Sequence, residues 1–122
     1  MALAGLLVAT AILVVPAAAE RVRGTQGPDR LHGGKGGDRV IGRAGDDRLS
    51  GRRGDDIVDG AGGNDRLIGG SGFDQLLAGP GDDVISARDG EADRIDCGDG
   101  YDRVVVDESE DGVLDCEEVI EP

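Results

Sequence analysis

Aspartate returns at one fixed place of a nine-residue repeat, and this series of carboxylates is the feature of the sequence that could do chemistry. Seven units follow one another without a gap from Gly24 to Ser86, an eighth with one extra residue covers Ala87 to Asp96, and a ninth covers Cys97 to Val105. The sixth place of every unit is aspartate: Asp29, Asp38, Asp47, Asp56, Asp65, Asp74, Asp83, Asp93 and Asp102. Carboxylates stacked at a strand spacing of roughly 4.8 Å repel one another unless a cation lies between them. A hard cation that takes six to eight oxygen ligands fits this need, and calcium is the obvious one.

Each unit divides into a turn half and a strand half, which together must position these carboxylates. The fourth place is glycine in all nine units, and glycine permits the positive φ values that let turn carbonyls point inward together. The eighth place is aliphatic throughout: Leu31, Val40, Leu49, Val58, Leu67, Leu76, Ile85, Ile95 and Val104. In a three-residue strand the middle side chain points to one face and its neighbours to the other. One unit buries almost nothing alone, so we expect the units to stack around this aliphatic column.

This pattern resembles the calcium-binding nonapeptide repeat of RTX (hemolysin-type) proteins, GGxGxDxUx, in which U is a large aliphatic residue. The resemblance covers Gly24 to Val105 and implies an all-β fold, a right-handed parallel β-roll in which two consecutive units form one coil of a calcium-braced solenoid. It also implies that calcium lies between turns, held by backbone carbonyls and by the sixth-place aspartates of units two apart. One edge would use Asp29, Asp47, Asp65, Asp83 and Asp102, and the other Asp38, Asp56, Asp74 and Asp93, which makes up to seven sites.

The repeat departs from the family pattern at the first two places of several units. The second place is Thr25, Arg43, Arg52, Ala61 or Arg88 where it is not glycine, and the first place is Ala78, Ala87 and Cys97 in the last three units. We expect these changes to alter the turns locally. The residue inserted in Ala87–Asp96 is expected to affect the Asp74/Asp93 and Asp83/Asp102 sites most.

The N-terminal segment has the composition of a secretory signal peptide. Residues 1–19 carry no charged side chain, Leu3 to Val15 is mostly apolar, and Ala17-Ala18-Ala19 offers a small-residue cleavage pattern. The apolar run is short for a membrane span of about 20 residues, so no span is expected in the mature chain. Because no lysine or arginine marks the start, an uncleaved anchor or a misplaced start remains an alternative. Glu20 to Arg23 fits the end of a preceding unit, with glutamate in the aspartate place.

Beyond Val105 the period stops, and residues 106–122 are predicted to form a short C-terminal cap on a roll of residues 20–105. Val113, Leu114, Val119 and Ile120 could close the open end of the stack. Cys97 and Cys116 are the two cysteines of the chain. In a secreted chain they predict one disulfide joining the cap to the ninth unit, worth on the order of 3 kcal/mol. Two unpaired thiols are the alternative.

Charge and composition limit the classes of function. The net charge of −13 disfavours nucleic-acid binding, because no basic region exists to contact phosphates. An enzyme is also disfavoured, since the chain has one histidine, His32, and no room for a separate catalytic domain. An acidic, glycine-rich chain with almost no aromatic residues resembles a disordered one. Seven calcium ions would bring +14 against −13, so we expect a secreted, extracellular protein that folds on binding Ca²⁺.

A second hypothesis is an extracellular surface or matrix protein that uses the calcium-braced roll for adhesion or self-assembly. The seventh place is arginine in six of the nine units, and Arg30, Arg48 and Arg66 would form a ladder on one sheet. This ladder, together with Ile41, Ile57 and Leu77, would be the contact surface for an unknown cell-surface or matrix partner. A solvated face that offsets neighbouring carboxylates is the simpler interpretation of the same arginines.

Overall fold

The computed structural model describes residues 19–107 and 112–121, and these residues form twelve short strands and no helix. The strands follow the predicted strand halves of the repeat. Their bounds are β1 Arg21–Arg23, β2 Arg30–His32, β3 Arg39–Ile41, β4 Arg48–Arg53, β5 Ile57–Asp59, β6 Arg66–Ser71, β7 Gln75–Leu77, β8 Val84–Ser86, β9 Arg94–Asp96, β10 Arg103–Val105, β11 Gly112–Leu114 and β12 Glu118–Ile120. The predicted signal peptide, residues 1–19, lies almost wholly outside the described residues and stays a prediction.

The strands alternate between two parallel sheets. One sheet has the order β1-β3-β5-β7-β9-β11 and the other β12-β10-β8-β6-β4-β2. Every strand therefore pairs with the strand two further along the chain, and residues of equal place face each other, as in the pairing of Leu49 with Leu67 and of Leu67 with Ile85. Two consecutive units make one coil, which confirms the predicted all-β parallel β-roll.

The core consists of the eighth-place side chains, which point inward from both sheets. Those from Val40 to Val104 are almost completely buried, and Leu31 at the N-terminal end is half-buried and packs against them. The last three units add a second inward side chain, because Ala78, Ala87 and Cys97 at the first place are also buried in the core. The sequence expectation of one inward residue per unit is therefore too simple for this end of the roll, where Val106 is buried as well.

The extra residue of the eighth unit does not disturb the strand register. Gln75 pairs with Arg94 and Leu76 with Ile95, the same pairing of equal places that holds between the other coils. The insertion is taken up in the turn between Gly90 and Asp93, which lies outside the strands.

Two further strands extend the roll at its C-terminal end. β11 pairs with β9 and β12 pairs with β10, so one more coil continues the stack after the repeat has ended in the sequence. Val113 packs against the core, whereas Leu114, Val119 and Ile120, which were expected to close this end, are exposed. Cys97 and Cys116 form the predicted disulfide, with a Cα–Cα distance of 5.1 Å.

Within the described residues, no helix is long and apolar enough to cross a membrane.

Candidate metal centre

The structure brings the sixth-place aspartates into two columns, one along each edge of the roll. Each lies where a turn enters a strand, one residue before the outward seventh place. Eight of the nine are buried, with exposed fractions of 4% or less, and Asp29 at the N-terminal end is half-buried. Eighteen or nineteen residues separate successive members of a column. The sequence predicted the stacking of these aspartates, and the structure adds that they are buried.

One oxygen of each carboxylate after Asp29 accepts a backbone N–H of the preceding coil. The N–H of Asp47 donates to Oδ1 of Asp65 at 2.8 Å, and the N–H of Asp65 donates to Oδ1 of Asp83 at 2.7 Å. The same bonds cross the irregular eighth unit, from Asp74 to Asp93 at 2.8 Å and from Asp83 to Asp102 at 2.7 Å. The insertion therefore leaves this ladder of hydrogen bonds intact.

A glutamate takes the aspartate's place at one end of each column. Oδ1 of Asp38 accepts the N–H of Glu20 at 2.8 Å, which places Glu20 at the N-terminal end of its column, where a preceding unit would have its aspartate. At the C-terminal end of the other column, the N–H of Asp102 donates to Oε2 of Glu117 at 2.9 Å. Glu117 was not singled out in the sequence, although it stands directly before the strand that begins at Glu118, as each sixth-place aspartate does.

The second carboxylate oxygen is buried without a hydrogen-bond partner in most of the column. Within the described residues this holds for Oδ2 of Asp47, Asp56, Asp65, Asp74, Asp83 and Asp102. Buried polar atoms are almost always satisfied in folded proteins, and a buried charge needs a counter-charge. The orphaned oxygens therefore fit a column that holds cations between its carboxylates.

The first two units differ from the others in this respect. Oδ2 of Asp29 accepts the N–H of Thr25 at 2.6 Å, and Oδ2 of Asp38 accepts the N–H of Gly34 at 2.5 Å. In these two units the turn itself satisfies the second oxygen. Asp29 and Asp38 are therefore less suited to a cation than the six aspartates whose Oδ2 has no partner.

Burial also changes the protonation of the columns. Desolvation raises the pKa of Asp56, Asp65, Asp74 and Asp83 to about 7, against the opposing effect of the backbone N–H bonds, and the preceding aspartate of the column raises it further. The same cause raises the pKa of Asp47 and Asp102. A nearby cation would favour the charged form of these carboxylates.

Glycine leaves the space that the carboxylates and turn carbonyls occupy. A Cβ at first-place Gly51 would lie 2.5 Å from Oδ2 of Asp56 and 2.7 Å from the carbonyl oxygen of Gly69. Fourth-place Gly63 has a φ of 101° and lies directly against the carbonyl of Gly45 in the preceding coil. The turns therefore bring carbonyl and carboxylate oxygens close together between coils, which is the donor set that calcium prefers.

The fifth-place acids have a different role from the sixth-place aspartates. The side-chain Oδ1 of Asp46 accepts the N–H of Asn64, and Oδ1 of Asn64 accepts the N–H of Asp82, each at 2.9 Å. Oδ1 of Asp82 accepts the N–H of Tyr101 at the same distance. These side chains satisfy the backbone of the following coil, a role that an amide fills as well as a carboxylate.

One acidic residue near the columns was missed by sequence reasoning. Asp89, at the third place of the irregular eighth unit, offers a carboxylate oxygen within 4.8 Å of oxygens from Asp74 and Asp93, which are also within 4.8 Å of each other. The third place has no fixed residue type in the repeat, so the period alone could not identify it. The signal available in the sequence was that an acidic residue lies in the same turn as the inserted residue of the eighth unit.

The fold and the site together define a parallel β-solenoid whose turns carry columns of buried carboxylates. The family model of the RTX calcium-binding nonapeptide repeat matches this chain in four copies, over residues 17–47, 32–67, 59–91 and 68–104. The chain belongs to this RTX repeat family, as its sequence pattern predicted. No curated protein and no solved structure matches it.

Proposed function

We propose that this chain is a secreted calcium-binding protein whose β-roll folds as Ca²⁺ binds between its stacked turns. The ligands would be turn carbonyls and the sixth-place aspartates: Asp29, Asp38, Asp47, Asp56, Asp65, Asp74, Asp83, Asp93 and Asp102. The observation that carries the proposal is the set of buried Oδ2 atoms without a hydrogen-bond partner. Bound calcium would supply the positive charge that keeps these carboxylates ionised inside the roll.

The donor set favours calcium over other metals. The columns offer oxygen atoms from carboxylates and turn carbonyls, which suit hard cations, whereas zinc and copper favour imidazole and thiolate. Both cysteines are joined in the disulfide, and His32 is the single histidine. Magnesium demands a stricter octahedral geometry and gives up its water reluctantly, so a dense carboxylate and carbonyl site favours calcium.

Coupling between folding and binding follows from charge and composition. The chain has a net charge of −13 and 23 glycines, so its unfolded state is favoured by repulsion and by backbone entropy. Folding without a cation would bury carboxylates whose second oxygen has no partner. A cation that binds only the folded state adds its binding free energy to folding.

The test is a calcium titration of the purified protein, followed by far-ultraviolet circular dichroism. We expect a cooperative gain of β signal with calcium and little or none with magnesium at equal concentration. A full β signal in excess chelator at pH 8 would contradict folding on binding. No binding of calcium at millimolar concentration would contradict the proposed function itself.

Secretion and a non-catalytic role are parts of the same proposal. The signal-like composition of residues 1–19 and the disulfide between Cys97 and Cys116 both support an oxidising, extracellular location. The disulfide leaves neither cysteine as a nucleophile. These features support a structural module in which the bound ions brace the fold.

The arginine ladder favours adhesion or self-assembly as a second candidate function. Arg30, Arg48 and Arg66 are exposed and stand in register on adjacent strands β2, β4 and β6. Within the described residues, the one ion pair joins Arg103 and Glu118, so the ladder has no paired carboxylate there. The apolar residues suggested with it, Ile41, Ile57 and Leu77, lie on the other sheet in β3, β5 and β7 and are half-buried, so they do not share a surface with the ladder. Co-sedimentation of the calcium-loaded protein with an anionic polysaccharide would distinguish this candidate from a simple calcium-binding module.

A further inference from the structure

We propose that the irregular eighth unit forms a calcium site unlike the others, in which Asp89 supplies a third carboxylate beside Asp74 and Asp93. This inference rests on the proposed calcium function and goes beyond it, because the repeat pattern assigns no ligand to the third place. The site would bind a calcium-sized cation more tightly than the sites that have two column aspartates.

The distances among the three carboxylates suit one ion. Asp74, Asp89 and Asp93 each offer an oxygen, and the three oxygens lie within 4.8 Å of one another. Calcium holds its oxygen ligands at 2.3–2.6 Å, so two ligands on opposite sides of the ion are about 4.8 Å apart. All three carboxylates could therefore contact the same cation without a change in the backbone.

Asp74 provides an independent observation that points to a cation at this place. Its exposed fraction is 3%, and Oδ2 is buried without a hydrogen-bond partner. Its other oxygen, Oδ1, is already used by the N–H of Asp56 at 2.8 Å. A buried carboxylate that has an unsatisfied oxygen and lies within 4.8 Å of two further carboxylates needs a positive charge nearby.

Hydrogen bonds within the turn hold Asp89 beside the column. Oδ1 of Asp89 accepts the N–H of Glu91 at 2.9 Å, and the N–H of Asp89 donates to Oδ2 of Asp107 at 2.9 Å. Glu91 belongs to the two-residue stretch that contains the insertion. Its Oε1 accepts the N–H of Gly72 in the preceding coil. The turn is therefore tied to both neighbouring coils, which lowers the ordering cost of binding.

The other turns on this edge lack a carboxylate at the third place, the place of Asp89. Along the same edge, the third places of units two, four and six are Lys35, Arg53 and Ser71. Two of these three side chains are cationic and would weaken an adjacent cation site, whereas Asp89 adds a negative charge. Because calcium affinity rises with the number of charged ligands, the eighth unit should hold the tightest site on this edge.

The test compares Asp89→Asn with Asp99→Asn in calcium titrations by calorimetry. Asp99 is the third-place residue of the ninth unit, lies on the other edge, and is exposed, so its substitution removes the same charge outside the cluster. We expect Asp89→Asn to weaken the tightest binding event by about tenfold or more. Asp99→Asn should stay within about twofold of the wild type, and Asp89→Glu should recover part of the loss.

The outcomes separate this inference from the proposed function. If Asp89→Asn and Asp99→Asn bind calcium alike while the protein still folds with calcium, the third ligand is refuted and the repeat sites stand. If the wild-type protein binds no calcium, both proposals fail. If Asp89→Asn does not fold, europium(III) excitation spectra of the wild-type protein decide the question. A separate line, shifted by the extra ligand charge, would support the site, and a single line would refute it.

Discussion

The two carboxylate oxygens of a sixth-place aspartate make different contacts. Oδ1 accepts a backbone N–H from the coil before, as in the 2.7 Å bond from Asp65 to Asp83, and so aligns neighbouring coils. Oδ2 of Asp83 is buried without such a partner. An asparagine could perform the first of these functions, because its side-chain carbonyl accepts the same hydrogen bond. Its amide nitrogen, however, cannot bind a cation. Substitution to asparagine therefore separates alignment from cation binding.

Asp83→Asn and its neighbour Asp82→Asn form a matched pair that removes one negative charge each. With saturating calcium, we expect Asp83→Asn to lower the free energy of unfolding by about 1–3 kcal/mol, because a charged ligand is lost. In chelator the same variant should be no less stable than the wild type, since a buried charge has been removed. Asp82→Asn should leave calcium-dependent stability unchanged, because Asn64 already occupies this place in the preceding coil. Thermal unfolding in both conditions checks these signs, and equal losses for the two variants would contradict the assignment.

The sequence predicted which residues form the columns but not how each carboxylate is satisfied. A nine-residue period identifies Asp47 or Asp83 as surely as Asp29, since all occupy the sixth place. The difference among them depends on whether the second-place N–H reaches the carboxylate, as it does from Thr25 to Asp29. Asp89 was missed for a related reason, because its proximity to Asp74 exists only once two coils are stacked.

At the scale of the element, the turn is the most demanding part of the unit. Three second-place residues that are not glycine, Arg43, Arg52 and Ala61, have positive φ values of 77°, 76° and 62°. The neighbouring coils therefore impose the left-handed conformation even where the sequence departs from glycine, at a cost of roughly 1–2 kcal/mol each. The family pattern predicted the turns, and the departures at Arg43, Arg52 and Ala61 did not alter them, whereas Thr25 and Arg88 do not take the positive φ. Strands β4 and β6 continue to six residues, which the three-residue strand half did not predict.

Gly63→Ala and Gly62→Ala test the turn at adjacent residues. Gly63 has a φ of 101° and lies against the Gly45 carbonyl, so an added methyl group meets both strain and rigid backbone. We expect a loss of at least about 2 kcal/mol in calcium-loaded stability. A Cβ at Gly62 would meet nothing within 4 Å, so Gly62→Ala should change stability by less than about 0.5 kcal/mol. Equal midpoints of thermal unfolding for the two variants would contradict the close approach of the coils.

At the scale of the whole molecule, the apolar core and the buried aspartates both extend along the length of the roll. The eighth-place aliphatic side chains of both sheets form one core, and the sixth-place aspartates are buried beside them in the sequence, so the roll cannot gain its apolar core without also burying its acids. The net charge can be read directly from the composition. Together with the nine-residue period, it predicted a fold that depends on metal. It could not predict the raised pKa of the inner aspartates, because that depends on burial within stacked coils.

The pH dependence of the calcium-free protein should be the reverse of the usual acid denaturation. Burial raises the pKa of Asp56, Asp65, Asp74 and Asp83 from 3.8 to about 7. Their contribution to stability is therefore fully present below about pH 3.8 and is lost as the pH rises through about 7. In chelator, we expect more β structure at pH 5 than at pH 8, measured by circular dichroism.

Calcium should change the sign of this dependence, because its ligands must be deprotonated. The calcium concentration at the folding midpoint is expected to fall as the pH rises from 6 to 8. A midpoint that does not move over this range would show that the buried carboxylates take no part in binding.

The pairing of each strand with the strand two further along makes the length of the roll adjustable. Because equal places meet every eighteen residues, loss or duplication of two whole units, such as residues 51–68, would restore the same neighbours on both edges. Loss of nine residues would instead move every later strand to the opposite sheet and separate Asp46 from Asn64. The roll could therefore be lengthened or shortened in steps of two units, by evolution or by design, and each step would change the number of proposed calcium sites.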